Sequence, residues 1–250
     1  AICSKTAAFV VFVRLMMGPG SQLPSFVLGV LSGIVALTLI LGHLSALGQP
    51  YTKRLMASSS IAQAGYLLIG ALSAVYLPVM VHIILGYLLI YALSSFCVFG
   101  VMAFHQLNHR TWAPELLGNE ESVDASEEIA HYAGLGRRDP FLGGVLAFGL
   151  ASLAGIPPFA GFVSKLLLLL GAFQAQLYGL ATVGLLGVVV SVAYYLGWIR
   201  EVFFEEPFNP TVATVYARTP WQTILLVILA GSLLVLGFYQ GPLFCLPSGR

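Results

Sequence analysis

Seven long apolar runs restrict this chain to one kind of fold. A helix needs about 20 apolar residues to cross a bilayer, and in lipid such segments fold as helices because backbone polar groups must find partners within the chain. We therefore predict an all-α, polytopic transmembrane helix bundle that occupies residues 1–250 as a single domain. The predicted spans are 2–17, 25–48, 55–77, 79–104, 140–173, 177–203 and 221–244.

The composition excludes several classes of function. With 58% hydrophobic and only 8% charged residues, the chain fits a membrane protein and not a soluble domain. No basic cluster is long enough to indicate nucleic-acid binding, and the three cysteines lack the spacing of a metal site or a disulfide framework. Phosphate-binding, dinucleotide-binding and nucleophile-elbow motifs are also absent from the sequence. We expect no cofactor, no metal and no bond-making chemistry in this chain.

The charges indicate how the chain is oriented. The turns at 18–24, 76–78 and 174–176 carry no charge, whereas the other connections are basic, so these charged loops are predicted to be cytoplasmic and the C-terminus outside. The longest loop, 106–138, is acidic, and its segment 126–135 is predicted either as an amphipathic helix on the membrane surface or as part of a solvated loop. The basic loop residues are Lys53, Arg54, Arg110, Arg137, Arg138, Arg200 and Arg218, and the acidic residues of the long loop are Glu115, Glu120, Glu121, Asp124, Glu127 and Glu128.

The fifth predicted span is too long to be one straight helix. Its 34 residues would extend about 50 Å, against roughly 30 Å of hydrocarbon core. Prolines remove backbone donors and clash with the preceding turn, which predicts two half-helices joined by an unwound piece. In transporters, discontinuous helices mark ion or substrate sites. The residues that predict the break are Gly155, Pro157, Pro158 and Gly161.

Lys165 lies just after this break, within an apolar stretch. An ammonium at the bilayer centre costs at least about 2.5 to 3.5 kcal/mol, so its presence indicates a function. In the first turns of the second half-helix, desolvation and the positive end of the helix dipole disfavour the charged form. We predict that Lys165 takes up and releases protons near neutral pH. The alternative is a lysine that extends to the membrane interface.

Lys5, preceded by Ser4, is the second candidate proton carrier. The sequence starts with Ala1 and not with Met, and the first apolar run is short, so we expect an upstream portion that would place Lys5 well inside the membrane. If Ala1 were the true start, Lys5 would be an ordinary interfacial lysine.

Three helices carry polar stripes that can bond helices together or conduct protons. The stripes support a proton pathway only in combination with the lysines. His43 can titrate near neutral pH, but an interhelical hydrogen-bonded histidine is equally compatible with its position. The stripes are Ser59, Gln63 and Tyr66, then Tyr87, Tyr91 and Ser95, then Ser191, Tyr194 and Tyr195. The secondary relay candidates are His43, Lys53, Gln63 and Tyr91.

Three motifs agree in order and spacing with one known family. GHLSALGQPYTKRLMASSSIAQAGYLLIG (42–70), GLGRRDP (134–140) and LASLAGIPPFAGFVSK (150–165) resemble the antiporter-like membrane subunits of respiratory complex I, or NADH-quinone oxidoreductase. The similarity runs nearly end to end and is strongest to the C-terminal half of N-type subunits. It implies a fourteen-helix fold of which this chain is the second half, beginning at the eighth helix.

The resemblance assigns roles to both lysines. The family's eighth helix carries a buried lysine after a serine, which matches Lys5, and its broken twelfth helix carries a lysine that matches Lys165. M-type subunits have glutamate at the second position, and the short C-terminus disfavours L-type subunits. The chain departs from the family pattern where Asn, Tyr and His are common, at His43, Ser58 and Gln63 respectively.

The function that the resemblance implies is proton translocation coupled to electron transfer from NADH to quinone elsewhere in the complex. The chain would then be a translocase subunit without redox chemistry of its own, in a bacterial inner membrane. Flavin mononucleotide, iron–sulfur clusters and quinone are expected in partner subunits, and the direct partners are other membrane-arm subunits and the lipid bilayer. The alternatives are a subunit of a multisubunit cation/proton antiporter and a structural membrane subunit without a proton pathway.

Overall fold

The structure, a computed structural model, describes residues 2–18, 24–112, 128–206 and 220–239. Its regular elements are helices, as predicted, and five of those in the described ranges are long and apolar enough to cross a membrane. The helices are α1 (Ile2–Met17), α2 (Ser25–Ala46), α3 (Thr52–Ala74), α4 (Met80–Trp112), α5 (Leu135–Arg138), α6 (Pro140–Ala154), α7 (Ala160–Gln174), α8 (Tyr178–Phe204) and α9 (Pro220–Phe238).

Two helix ends differ from the predicted spans by more than three residues. Helix α4 continues to Trp112, past the predicted end at 104, because the polar residues that follow are compatible with a helix that leaves the apolar layer. Helix α9 ends at Phe238, and the predicted end of the seventh span lies outside the described residues.

Helix α3 is at the centre of the bundle. It packs against α1, α2, α4, α7 and α8, and most of its residues from Ser59 to Ala74 are buried. By contrast, α2 and α9 each expose a row of large apolar side chains, for example Phe26 on α2 and Trp221 on α9, both 78% exposed. Such faces suit contact with lipid or with another membrane protein.

The long loop returns to the bundle at Glu128. The backbone N–H of Ile129 donates to Pro50 O at 2.8 Å, and a single 3-10 turn, Ile129–Tyr132, follows. The Tyr132 ring is fully buried and stacks on His105 of α4 at 4.2 Å. The described part of 126–135 is neither the amphipathic surface helix nor the solvated loop that the sequence left as alternatives. It is folded into the protein, because its apolar side chains pack against α4 and α8. The acidic residues at 115–127 and Arg218 lie outside the described residues.

The predicted break in the fifth span is confirmed. Helix α6 begins after Asp139, whose carboxylate accepts a hydrogen bond from Leu142 N at 3.1 Å. It ends at Ala154, and the residue that follows, Gly155, has φ +83°. Residues 155–159 are not helical, and α7 begins at Ala160. Each half-helix has 15 residues and is therefore about 22 Å long, which is shorter than the hydrocarbon core.

A close backbone contact holds the two half-helices together. Gly161, in the first turn of α7, lies against the carbonyl oxygen of Ser152 in α6, and a Cβ at this position would overlap that oxygen. Only glycine allows α7 to approach α6 this closely. The end of α6 and the start of α7 therefore lie side by side inside the bundle.

Candidate functional site at the helix break

Lys165 projects from the second turn of α7 into the break. Its side chain is 2% exposed, and its Nζ donates to Leu153 O at 2.6 Å and to Ala154 O at 3.1 Å. These carbonyls belong to the last two residues of α6, which form the negative end of that helix's dipole. From the sequence, only the positive end of the dipole of α7 was expected to act on Lys165. The structure corrects this point, because the ammonium reaches across the break to the other half-helix.

Two neighbours shape the space around Lys165. Its Nζ lies 5.1 Å from the centre of the Tyr66 ring, a distance at which a ring face attracts a cation. Gly155 borders the aliphatic part of the side chain, and a Cβ there would be 3.1 Å from Lys165 Cδ. The ammonium thus has backbone carbonyls on one side and an aromatic face on another.

The polar stripes meet at the same two carbonyls. Gln63 of α3 donates from Nε2 to Leu153 O at 3.2 Å, and its Oε1 accepts from the hydroxyl of Tyr87 in α4. Ser191 of α8 donates to Ala154 O at 3.0 Å. Each stripe therefore contributes a hydrogen bond that fixes the end of α6 or its neighbours. The stripes therefore bond helices together, which was one of the two roles that the sequence allowed, and they do so directly around Lys165.

A small cavity lined partly by polar residues adjoins Lys165. Its volume is about 10 Å³, close to the minimum that holds one water molecule. Ser94 and Ser152 on its wall are joined by a 2.8 Å hydrogen bond. The lining residues are Gln63, Tyr87, Ile90, Tyr91, Ser94, Ser152, Leu153, Gly161 and Lys165.

Lys5 approaches the same central helix from α1. Its side chain is half-buried, and Nζ donates to Ser60 O of α3 at 3.1 Å. Ser60 precedes Gln63 by three residues, or about 4.5 Å of helix rise. Both lysines therefore contact α3, Lys5 at Ser60 O and Lys165 at the ring of Tyr66.

The secondary candidates are distributed differently. Gln63 and Tyr91 border the cavity beside Lys165, and His43 of α2 bonds the hydroxyl of Tyr66 at 3.1 Å. Lys53 is exposed in the first turn of α3, about 15 Å of helix rise from Gln63. The structure brings the first three together near Lys165 and leaves Lys53 at the end of the bundle.

The backbone carbonyl oxygens of Leu153 and Ala154, which accept hydrogen bonds from Lys165, were not predicted from the sequence. Residue types do not reveal backbone acceptors, but Gly155 signals the end of a helix and hence free terminal carbonyls. Within the described ranges, no group of three or more His, Cys, Asp or Glu side chains is arranged to hold a metal ion.

Comparison with known proteins places the chain in a family. Residues 1–191 match the family described as "NADH:quinone oxidoreductase/Mrp antiporter, TM". The chain belongs to this family. Membership confirms the resemblance noted from the three motifs, and it makes the chain a transmembrane protein of the antiporter-like class.

Relatives and solved structures agree with this assignment. The chain is 41% identical over 248 residues to "NADH-quinone oxidoreductase subunit N 1" of Opitutus terrae, covering 97% of this chain and 46% of the relative. A chain of respiratory complex I from Thermus thermophilus superimposes with a TM-score of 0.67 at 30% identity, over 87% of this chain and 45% of that one. The Mrp complex from Dietzia sp. DQ12-45-1b gives a TM-score of 0.76 at 19% identity, over 95% and 49%, which shows a shared fold. The chain spans about half the length of the relatives it matches.

Proposed function

We propose that this chain translocates protons as a membrane subunit of NADH-quinone oxidoreductase, with Lys165 as the proton-binding group. The observation that carries the proposal is the buried ammonium of Lys165 on the terminal carbonyls of α6, beside a small cavity. The name of the Opitutus terrae relative and the complex I chain from Thermus thermophilus support the choice of complex.

The geometry accommodates both protonation states of Lys165. An ammonium has three N–H bonds, and two of them are donated to Leu153 O and Ala154 O. When the third proton leaves, the neutral amine keeps the same two donors, and its lone pair takes the place of the lost N–H. Proton release therefore requires no rearrangement of α6, and the exchanging position is served through the cavity that Lys165 lines.

Lys5 serves as the second proton carrier in this proposal. It contacts α3 one turn from Gln63, which itself bonds the carbonyl that Lys165 uses. Protons would pass between the lysines through ordered water, with Gln63 and Tyr91 beside the path. Charge movement elsewhere in the complex would shift the balance between the charged and neutral forms of Lys165. Lys53, exposed at the predicted cytoplasmic start of α3, is the candidate for collecting protons.

The charge pattern and the relatives support an orientation in the membrane and a set of partners. The charged loops would face the cytoplasm and the C-terminus the outside of a bacterial inner membrane. Other membrane-arm subunits would cover part of the apolar faces of α2 and α9, and lipid the rest. Flavin, iron–sulfur clusters and quinone in partner subunits would supply the redox energy, since this chain is proposed to carry no cofactor.

Replacing Lys165 with Ala in the full-length subunit, assembled in its complex, tests the proposal. Proton pumping per electron transferred should fall sharply in membrane vesicles, while replacing the exposed Arg54 with Ala should leave it unchanged. Complex abundance is measured in parallel. Undiminished pumping by Lys165→Ala at normal abundance would overturn the proposal and favour a structural subunit without a proton pathway.

A cation/proton antiporter subunit is the second candidate, because the family description covers both classes. The proton-binding role of Lys165 would be the same, but the driving force would be a cation gradient. Affinity purification of the subunit from its native membrane separates the two. Flavin and iron–sulfur subunits in the purified complex support the oxidoreductase, and their absence from an intact complex supports the antiporter.

A further inference from the structure

The side chain of His43 is buried where α2, α3 and α8 meet. Its side chain is 2% exposed, with Nε2 at 3.1 Å from the Tyr66 hydroxyl of α3 and Nδ1 at 3.4 Å from the Tyr194 hydroxyl of α8. Gly187 of α8 makes room for this arrangement, because a Cβ there would lie 2.6 Å from His43 Nε2 and 2.8 Å from the Tyr66 hydroxyl. Both ring nitrogens are thus engaged by phenols.

The network assigns the hydrogens of the imidazole. Tyr66 has one hydroxyl proton, which it donates to Gly184 O at 3.0 Å. Its oxygen therefore accepts from His43, so Nε2 carries a hydrogen. In a neutral ring, Nδ1 then accepts from Tyr194, and every polar hydrogen in the group is used once.

This chain of hydrogen bonds does not lead a proton away from Lys165. A proton relay needs members that both accept and donate, but the chain ends at Gly184 O, a backbone carbonyl that only accepts. The Nζ of Lys165 lies 5.1 Å from the centre of the Tyr66 ring, whereas the Tyr66 hydroxyl forms hydrogen bonds with His43 and with Gly184 O. The contact between Tyr66 and Lys165 is therefore electrostatic.

We infer that His43 is a positioning residue that fixes the ring of Tyr66 against the Lys165 ammonium. The inference rests on the proposed proton-binding role of Lys165 and gives His43 a different task from a proton relay. The charged and titratable groups that face His43 are Lys165 on α7, Tyr66 on α3 and Tyr194 on α8. Without the donor at Nε2, the Tyr66 ring loses one of the two hydrogen bonds that hold its hydroxyl, and the ammonium loses part of its aromatic contact.

Two substitutions of His43 separate positioning from relay. In His43→Gln, the side-chain amide places an N–H donor near the position of Nε2 but does not titrate near neutral pH. In His43→Leu, the bulk is kept and the donor is removed. In the full-length subunit within the intact complex, His43→Gln should pump within about twofold of the native subunit, and His43→Leu should pump about threefold to tenfold less. A relay predicts equal losses in both variants, and that result would overturn the inference.

A double-mutant cycle tests whether His43 acts through the Tyr66 hydroxyl. Tyr66→Phe keeps the ring but removes its hydrogen bonds to both His43 and Gly184 O, so it should lower pumping at least as much as His43→Leu. His43→Leu in the Tyr66→Phe background should then add less than about a twofold further loss, because the interaction is already missing. Fully multiplied losses in the double variant would show that His43 acts by another route and would overturn the inference.

Nitrogen-15 spectroscopy of histidine-labelled complex gives a readout that does not depend on pumping. Native His43 should show a neutral ring protonated at Nε2, assigned by the loss of its signal in His43→Gln. Tyr66→Phe should move the Nε2 resonance more than the Nδ1 resonance, and Tyr194→Phe the reverse. An imidazolium, or a ring protonated at Nδ1, contradicts the inference. Normal pumping by Lys165→Ala would instead contradict the proposed function, while the nitrogen spectrum would still report whether His43 holds Tyr66.

Discussion

The Nζ of Lys165 lies 2.6 Å from the carbonyl oxygen of Leu153, so the closest partner of this buried cation is a backbone group. A carbonyl does not ionise, and the neighbouring Gln63 and Tyr66 side chains are neutral amide and phenol groups. In the proposed function, each proton bound by Lys165 would therefore change the charge of its immediate surroundings by a full unit. In an apolar environment such a change acts strongly on other charges, which is the property required of a coupling site.

Charge and hydrogen bonding at Lys165 can be separated by substitution. Lys165→Gln keeps an N–H donor but cannot change its charge, whereas Lys165→Met removes both. We expect both variants to lose proton pumping, with Lys165→Met also losing about 1 kcal/mol of stability for the missing donor. Vesicle pumping assays and thermal unfolding of the purified complex measure the two effects. Native pumping by Lys165→Gln is incompatible with a proton-binding role.

Gly155→Ala should affect both stability and pumping. The residue has φ +83°, and an added Cβ would lie 3.1 Å from Lys165 Cδ. The backbone strain should cost about 1 to 2 kcal/mol, and the Cβ should displace the lysine. Gly48→Ala is the matched control, because Gly48 has φ +75° with no atom near its Cβ position. Equal effects of the two variants on pumping would show that only backbone strain matters.

Gly161→Ala should be strongly destabilising. A Cβ at Gly161 would overlap the Ser152 carbonyl, so the two half-helices must separate at a cost of about 1 to 3 kcal/mol. Gly144→Ala, in α6 with open space at its Cβ position, should instead be neutral or stabilising by up to about 1 kcal/mol. Thermal unfolding and complex abundance distinguish the two, and similar behaviour of both variants would contradict the close contact.

Gln63 and Tyr87 should be energetically coupled. Gln63→Leu leaves the buried Tyr87 hydroxyl without its acceptor and should cost about 1 to 3 kcal/mol. Adding Tyr87→Phe removes the stranded hydroxyl and should recover part of this loss. Unfolding measurements on the two single variants and the double variant give the coupling free energy. Strict additivity would mean that the two side chains do not interact.

Lys5→Ala should lower pumping without preventing assembly, because its ammonium makes one hydrogen bond at a half-buried position. Arg14→Ala, which alters an exposed cation of the same helix, is the control and should pump normally. Pumping is normalised to the amount of assembled complex. If Lys5→Ala and Arg14→Ala behave alike, Lys5 is not part of the pathway.

The sequence was sufficient to predict the helices and the break in the fifth span, because the length of an apolar run and the presence of proline determine local structure. Lys165 was also evident, since a charge in an apolar run is conspicuous by its cost. Other features depend on contacts between distant segments. His43 meets Tyr66 across 23 positions and Tyr194 across 151, and no local pattern encodes such pairs. Tyr132 likewise becomes buried only because the loop docks onto α4 and α8.

The terminal carbonyls of α6 respond to mutation differently from side chains. Any residue at positions 153 and 154 supplies a carbonyl, so random substitution there cannot delete the acceptors of the Lys165 ammonium. Mutation can instead change the geometry that leaves these carbonyls without a hydrogen-bond partner inside α6. That geometry depends on Gly155 and Gly161. Leu153 and Ala154 are themselves buried, so larger side chains there act through packing. Volume-conserving changes at these two positions should therefore leave pumping less affected than changes at the two glycines.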